Sequence, residues 1–554
     1  MRRGITILFV LAAAVAGLVS FLDGRPDAAS SQPGRGAQEG QVCIQCHSAL
    51  NPALVEEWRL GAHGQHGVNC ADCHRAERSD PDAMEHNGYL ISTLVTPKDC
   101  SRCHQKEVNE QQGSHHATAG QILASTDNYL GEVVGGPPAV ATGCWQCHGS
   151  TVKVLPGGQL DPATWPNTGI GRINPDGSWG SCSACHTRHA FSKAQAREPQ
   201  TCGKCHLGPD HPQIEVYQES KHGILYESNK ARLNLHRDNW IVGVDYTAAP
   251  TCATCHMSAT PSQPVTHDVG DRISWTLRPA ISVKLNMVIF EDLTKQDVPE
   301  GHPLPNVGEL VKAPDGTMKK VKTLLPWQDR RGKMKDVCRQ CHADPFVTGF
   351  YKQFDDLVDL YNEKFARPAT AIMTALKQAG KLTPAPFDEK LDWIYWELWH
   401  HQGRRARHGA SMSGPDYAWW HGMYDVAQTF YQQFLPEVKA VAGEPLATQV
   451  LETHVYAPPG AQMAQGRDDE RAVAEDSRVL SPALRGAGEI TSLSEIARGK
   501  DAGAAAVRGG THGCHHGSHR CRGRPPAGWL HGPARAQEAT GGLDRRRGGS
   551  GLDP

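Results

Sequence analysis

Cysteine and histidine carry the chemistry of this chain. Sixteen of its 18 cysteines fall in eight copies of one pattern, two cysteines separated by two residues and followed at once by histidine. In order these are Cys43, Cys46 and His47; Cys70, Cys73 and His74; Cys100, Cys103 and His104; and Cys144, Cys147 and His148. Then come Cys182, Cys185 and His186; Cys202, Cys205 and His206; Cys252, Cys255 and His256; and Cys338, Cys341 and His342. Thiols at this spacing lie on one side of a helical turn, where each can form a thioether to a porphyrin vinyl group, and the adjacent histidine reaches the iron. Other uses of the same residues fit less well. Zinc ribbons need no histidine after each pair, redox CxxC motifs occur singly, and a disulfide framework would not repeat the histidine. The pattern predicts eight covalently bound c-type haems, with the cysteines as attachment points and the eight histidines as proximal iron ligands.

An iron that only passes electrons is usually closed by a second axial ligand, whereas catalysis needs one open position. Histidines outside the motifs and placed like distal ligands are His63, His86, His115 (or its neighbour His116), His189, His222, His267 and His408. They make seven candidates for eight irons. Asp210 and His211 follow the sixth motif, and a carboxylate beside an imidazole can accept protons from a bound substrate. One cysteine-free stretch, Ser411 to Gly422, is also rich in reactive and aromatic side chains; it holds Tyr417, Trp419, Trp420 and His421. Its tryptophans and Tyr424 read as packing, and His421 as a reserve ligand behind His408.

Elements that could hold these groups are predicted to be mainly α. Hydrophobic residues are 39% and aromatic residues 6% of the 554, thin for such a length, and porphyrin faces would supply the missing apolar interior. With 57 basic against 59 acidic residues there is no polybasic face to attract nucleic acid. Residues 1–21, two arginines and an apolar run, read as an export signal or N-terminal anchor, which places the mature protein in the periplasm. Residues 22–40 read as a linker. Residues 41–345 form an irregular haem-binding region, with intervals between successive motif histidines from 20 (His186 to His206) to 86 (His256 to His342), too uneven for a solenoid. Within it Pro156 to Gly180 reads as loop, and a hairpin is predicted with its turn at Asp315-Gly316. Residues 346–457 show apolar spacings of three and four, the mark of long amphipathic helices, with Trp393, Trp396 and Trp399 as a core stripe. Residues 458–554, rich in Gly and Arg and without periodicity, read as a disordered or aberrant tail.

The ordered series CWQCHGS, CSACHTRHAFS, CGKCHLGPDHPQ, ESKHG, PTCATCHMS, THDVGDRISWTLRP and RRARHGASMSGPDYAWWHGMYDV resembles hydroxylamine oxidoreductase over roughly residues 40 to 440. The resemblance implies seven haems with two histidine ligands and one open catalytic haem, carried by the fourth motif and so by Cys144, Cys147 and His148. It implies that Asp210 and His211 are the distal proton-accepting pair. It also implies that Tyr417 is the tyrosine that bonds covalently to the catalytic porphyrin of a neighbouring subunit in a homotrimer. A further distal tyrosine of the family has only Tyr246 as a candidate here. The implied reaction is oxidation of hydroxylamine to nitric oxide or nitrite, with electrons passing to a cytochrome c. Alternatives are a hydrazine dehydrogenase, an octahaem nitrite or hydroxylamine reductase, or a non-catalytic electron conduit.

A pyridine haemochrome titration of the purified protein should return eight haems per chain; a lower count would mean that one or more motifs stay empty.

Overall fold

The computed structural model describes residues 36–456, apart from 123–125 and 314–315. The expected signal, most of the expected linker and the expected tail lie outside the described residues. The linker's last part is not a linker: a helix runs over Gly36–Leu50 and carries the first motif. Ala, Gln and Glu within it are strong helix formers, and they outweigh its glycines.

The haem-binding region is built of short pieces. Three motifs are five-residue helices by themselves, Cys70–His74, Cys144–His148 and Cys252–His256. Helices this short are far below the length at which they hold in water, so their ends need partners from outside. At the second motif Asn69 accepts from the Ala71 amide, and the Asn69 amide donates to Asp72 at 2.8 Å. At the seventh, the Thr251 amide donates to the Thr254 hydroxyl at 3.1 Å, and the Thr254 amide returns the bond to the Thr251 hydroxyl at 3.4 Å. Such reciprocal capping fixes where each motif begins, and hence where its histidine points.

Sheet is more extensive than the sequence reading expected. The predicted hairpin is present, Leu310–Lys312 antiparallel to Met318–Leu325. Met318–Leu325 also pairs with Val283–Phe290, which pairs in turn with Lys295–Pro299 and Trp275–Thr276, giving five antiparallel strands. Val283–Phe290 (VKLNMVIF) was hard to read because its burial does not alternate; Asn286, Met287, Val288 and Phe290 are all buried. A second hairpin joins Ala83–His86 to Tyr89–Ser92. Its turn is Asn87-Gly88, both at positive φ (50° and 83°), the dipeptide favoured in tight hairpins.

Beyond the eighth motif the chain forms the predicted helices, and it widens repeatedly into π-helical turns. Asp344–Tyr361 passes through Asn362–Ala366 into Arg367–Gln378, and Lys390–Trp396 passes through Glu397–Gln402 into Gly403–Ser411. The largest apolar core lies here, around Tyr361, Ile372, Leu376, Leu391, Phe430, Phe434 and Val438. Hydrogen bonds join these helices to the haem-binding region. The Asn362 side chain exchanges two hydrogen bonds with the Ser282 backbone, each 2.9 Å, and buried Arg407 donates to the Pro279 carbonyl at 2.9 Å. The aromatic stripe is not uniformly core. Trp396 is buried but Trp393 is 40% exposed, and Trp419 (56%), Trp420 (57%) and Tyr424 (45%) stand in solvent rather than packing. Helical spacing alone cannot say which side of a rod faces inward when its neighbours come from distant sequence.

Phe430 has no exposed surface and stacks on Phe434. Phe430→Ala should cost about 3–5 kcal/mol, read as a lowered thermal midpoint; a loss below about 1 kcal/mol would show that this cluster is not the core.

Candidate functional site

Two imidazoles that bind one iron from opposite faces are held at a set distance. With metal–nitrogen bonds of roughly 2 Å on each side, the ring centres stand roughly 6 Å apart. Five motif histidines meet this test with a histidine from elsewhere in the chain. The ring centres are 6.2 Å apart for His47 and His86, 6.0 Å for His104 and His63, and 6.5 Å for His186 and His267. They are 6.1 Å apart for His206 and His116 and again 6.1 Å for His342 and His222. The partners lie between 39 and 120 residues from their motif histidines (His47 to His86; His222 to His342), so the spacing is a property of the fold and not of local sequence. His189 lies close enough to His74 to feel its charge. Burial holds His116 down to about 3 and His186 and His206 down to about 4, which keeps each ring neutral, as a ligand must be. The residues present therefore fit haem.

Of the two adjacent histidines it is His116, rather than His115, that faces a motif histidine. His115 turns its Nε2 to the Asp297 carboxylate at 2.9 Å. His408 is buried, its Nε2 has no hydrogen-bond partner, and desolvation with the Arg407 charge holds its pKa well below the ordinary value. His421 does not share that environment; its side chain is 58% exposed and bonded to Asp416 at 2.7 Å. Tyr246 is a packing residue, stacked on Trp240 at 4.4 Å with its hydroxyl donating to Thr254 at 2.9 Å.

The motifs are also close to one another. Cysteine sulfurs of motifs one and two (Cys43, Cys70), three and five (Cys100, Cys182), four and six (Cys147, Cys205), and six and seven (Cys202, Cys252) lie within hydrogen-bonding reach. Groups attached there would lie close together, as electron transfer requires.

The fourth motif is strapped in place. The loop after it returns so that the Ile170 and Gly171 amides donate to the Cys147 and His148 carbonyls, both at 3.0 Å. Gly149 permits this: it sits at φ +86°, and a Cβ there would lie 2.4 Å from the Arg172 nitrogen. Asp210 and His211 lie where the fourth and sixth motifs meet, with His211 near enough to Cys147 for its charge to act there. The His211 Nε2 meets the Cys205 carbonyl at 2.9 Å and its Nδ1 meets Asp210 Oδ1 at 2.5 Å. The other Asp210 oxygen accepts from Arg404 Nη1 at 3.2 Å, and Arg404 Nε is anchored on the Arg278 carbonyl at 2.7 Å. Burial opposes the charges of both Asp210 and His211. The bond between them outweighs it, holding the Asp210 carboxyl below its usual range and the His211 imidazole above its own. Arg404 was missed by sequence reasoning, being 194 residues from Asp210. The signal available was the RRARH run, whose Arg404 and Arg407 are buried and so required partners.

Tyr417 is half-buried on the short helix Pro415–Ala418. Two glycines let the chain fold tightly there. A Cβ on Gly409 would lie 2.4 Å from the Ala418 nitrogen, and one on Gly422 would lie 2.2 Å from the Tyr417 carbonyl oxygen. The acids Glu219 and Glu215 of the helix Gln213–Glu219 are near enough to add to burial in raising its pKa.

Residues 177–297 match the family model described as "Seven times multi-haem cytochrome CxxCH". With its eight CxxCH motifs, the chain is similar to multihaem c-type cytochromes over that segment. It is 25% identical over 343 residues to a "Probable nitrite reductase-hydroxylamine oxidoreductase fusion protein" of Kuenenia stuttgartiensis. That match covers 55% of this chain and 34% of the relative, so the chain spans about a third of its length. A solved structure titled "Hypothetical multiheme protein" superposes with a TM-score of 0.59 at 26% identity, covering 73% of this chain and 96% of that one. A reducing HAO-like protein complex of Kuenenia stuttgartiensis shares the fold with a TM-score of 0.51 at 19% identity, over 73% of this chain and 85% of its own.

His116→Ala should convert one haem from a low-spin to a high-spin ferric signal in electron paramagnetic resonance, whereas His115→Ala should leave the low-spin count unchanged. The reverse result would reassign the ligand.

Proposed function

We propose that this cytochrome oxidises hydroxylamine, as the relative's name suggests for its hydroxylamine oxidoreductase portion, and passes the electrons to a partner cytochrome c. The observation that carries the reading is the Asp210–His211 pair, held from behind by Arg404 and placed beside the fourth motif. We assign Asp210 and His211 as proton acceptors, His148 as proximal ligand of the reacting centre, and the other seven motifs as the electron path. His63, His86, His116, His189, His222, His267 and His408 are its distal ligands. Haem bound at the fourth motif would supply an open iron able to hold and oxidise a nitrogen compound.

The chain's own residues manage protons. Conversion of hydroxylamine to nitric oxide releases three protons with three electrons; going on to nitrite consumes water, for five protons and four electrons in all. A base near the substrate is therefore needed at every stage. Asp210 presents an ionised carboxylate, and Arg404 fixes one of its oxygens so that the carboxylate cannot rotate away. His211 shares the other oxygen through Nδ1, and its Nε2 is oriented by the Cys205 carbonyl. Arg404 also offsets the cost of holding the carboxylate charge away from water.

The proposal extends to a homotrimer in the periplasm, in which Tyr417 of one subunit bonds to the porphyrin at the fourth motif of the next. The exposed aromatic residues beside it, Trp419, Trp420 and Tyr424, are suited to such a contact.

Steady-state assays with hydroxylamine, hydrazine and nitrite test the reading; turnover of nitrite alone would overturn it. Asp210→Asn should lower kcat by roughly 10²–10⁴-fold with haem content unchanged. Tyr417→Phe should abolish both a covalent trimer on denaturing gels and a reduced absorption band to the red of the ordinary Soret peak; survival of both would remove Tyr417 from the assignment.

A further inference from the structure

The long rod that ends in Arg404 and His408 begins at Lys390, and three carboxylates gather at that end. Oxygens of Asp388, Glu389 and Asp392 all lie within 4.8 Å of one another. Acidic residues at the start of a helix are ordinary, because they face its positive end, and that accounts for exposed Asp388. It does not account for Asp392, which is only 8% exposed and whose Oδ2 has no hydrogen-bond partner. A buried carboxylate oxygen without donor or counter-charge is costly. Glu389, only partly buried, also has an Oε2 without a donor, and its carboxyl lies within hydrogen-bonding reach of the Asp388 carboxyl.

The surroundings do not neutralise the group. Thr383 satisfies the outer oxygens, its amide donating to Glu389 Oε1 at 2.8 Å and its hydroxyl to Asp388 Oδ2 at 2.7 Å. Among the described residues no lysine or arginine forms an ion pair with any of the three. Neighbouring Lys390 instead pairs with Glu437, and Lys377 acts on Asp388 only through space. The outer oxygens are thus held by the loop, while the Asp388 and Glu389 carboxyls stand within hydrogen-bonding reach of each other, a pairing that needs a shared proton or a cation.

We propose that Asp388, Glu389 and Asp392 form a binding site for one hard divalent cation, calcium in preference to softer metals. An all-oxygen, carboxylate-rich donor set with room for water or carbonyl oxygens is what calcium takes, and it offers none of the nitrogen or sulfur ligands that transition metals favour. The ion would pin the Thr383–Glu389 loop to the first turn of the rod. That loop is already tied back by Trp393 Nε1, which donates to the Phe387 carbonyl at 2.9 Å. The site is remote in sequence from every haem motif, and its occupancy does not depend on which substrate the cytochrome uses.

The test compares the haem-loaded full chain with its Asp392→Asn and Asp388→Asn variants. Each is stripped with a chelator, re-equilibrated with calcium chloride, and analysed for calcium and haem per chain. Wild type should retain about one calcium more than either variant at equal haem content. Added calcium should raise its thermal midpoint by several degrees, with the response lost in the variants. Haem carboxylates also bind calcium, so the difference between wild type and variant is the deciding quantity. Equal calcium in all three proteins, or a midpoint in wild type that ignores calcium, would overturn the proposal and leave a proton shared among the carboxylates instead. If Asp392→Asn loses haem, the exposed Asp388→Asn alone decides the outcome.

Discussion

The spacing of paired imidazoles governs this molecule. A ring-centre separation of 6.0–6.5 Å recurs six times between histidines among the described residues; five of the pairs join a motif to a residue far from it in sequence, and the sixth is His206 with nearby His211. An isolated CxxCH turn has almost no apolar surface to bury and too few hydrogen bonds to persist. At five of the eight motifs a histidine arriving from another part of the chain faces the motif histidine and brings two segments together. The region's structure is therefore a set of cross-links through prospective iron sites, with short capped helices and loops filling the intervals. The thin apolar composition follows from the same fact, since the porphyrin faces would provide interior surface that side chains do not.

The helical part after the eighth motif has the opposite character. It carries a conventional apolar core of side chains around Tyr361, Phe430 and Phe434. It also reaches into the haem-binding region with charged and ligating groups. One face of the rod Gly403–Ser411 presents Arg404 to Asp210 and Arg407 to the Pro279 carbonyl and the Ser282 hydroxyl, and it buries His408. The π-helical turn just before it, Glu397–Gln402, inserts an extra residue into the helical repeat, of the kind found near functional sites, and so rotates that face relative to the preceding aromatic stripe. Trp393 is left in solvent while Arg407 is wholly buried.

The eight attachment motifs were legible without coordinates, because covalent attachment demands two cysteines and a histidine at one local spacing. The helical part after the eighth motif was legible from periodicity, and the hairpin at 310–325 from its turn dipeptide. The five-stranded sheet was not, since its central strand Val283–Phe290 is buried on both faces and lacks alternation. The Asn87-Gly88 turn is a local signal for the second hairpin. Asp210 and His211, being adjacent, were visible as a pair; Arg404 was not, because nothing local connects it to them.

Sequence by itself determined which cysteine pairs have the spacing for porphyrin attachment and which histidine adjoins each, because that spacing is local. Only the tertiary structure decided which histidine faces which motif, choosing His116 over its neighbour His115 and burying His408 while exposing His421. Adjacent histidines are equivalent as letters. They become different when the backbone turns one ring toward a motif histidine and the other toward the carboxylate of Asp297, partners 90 and 182 residues away (His116 to His206; His115 to Asp297).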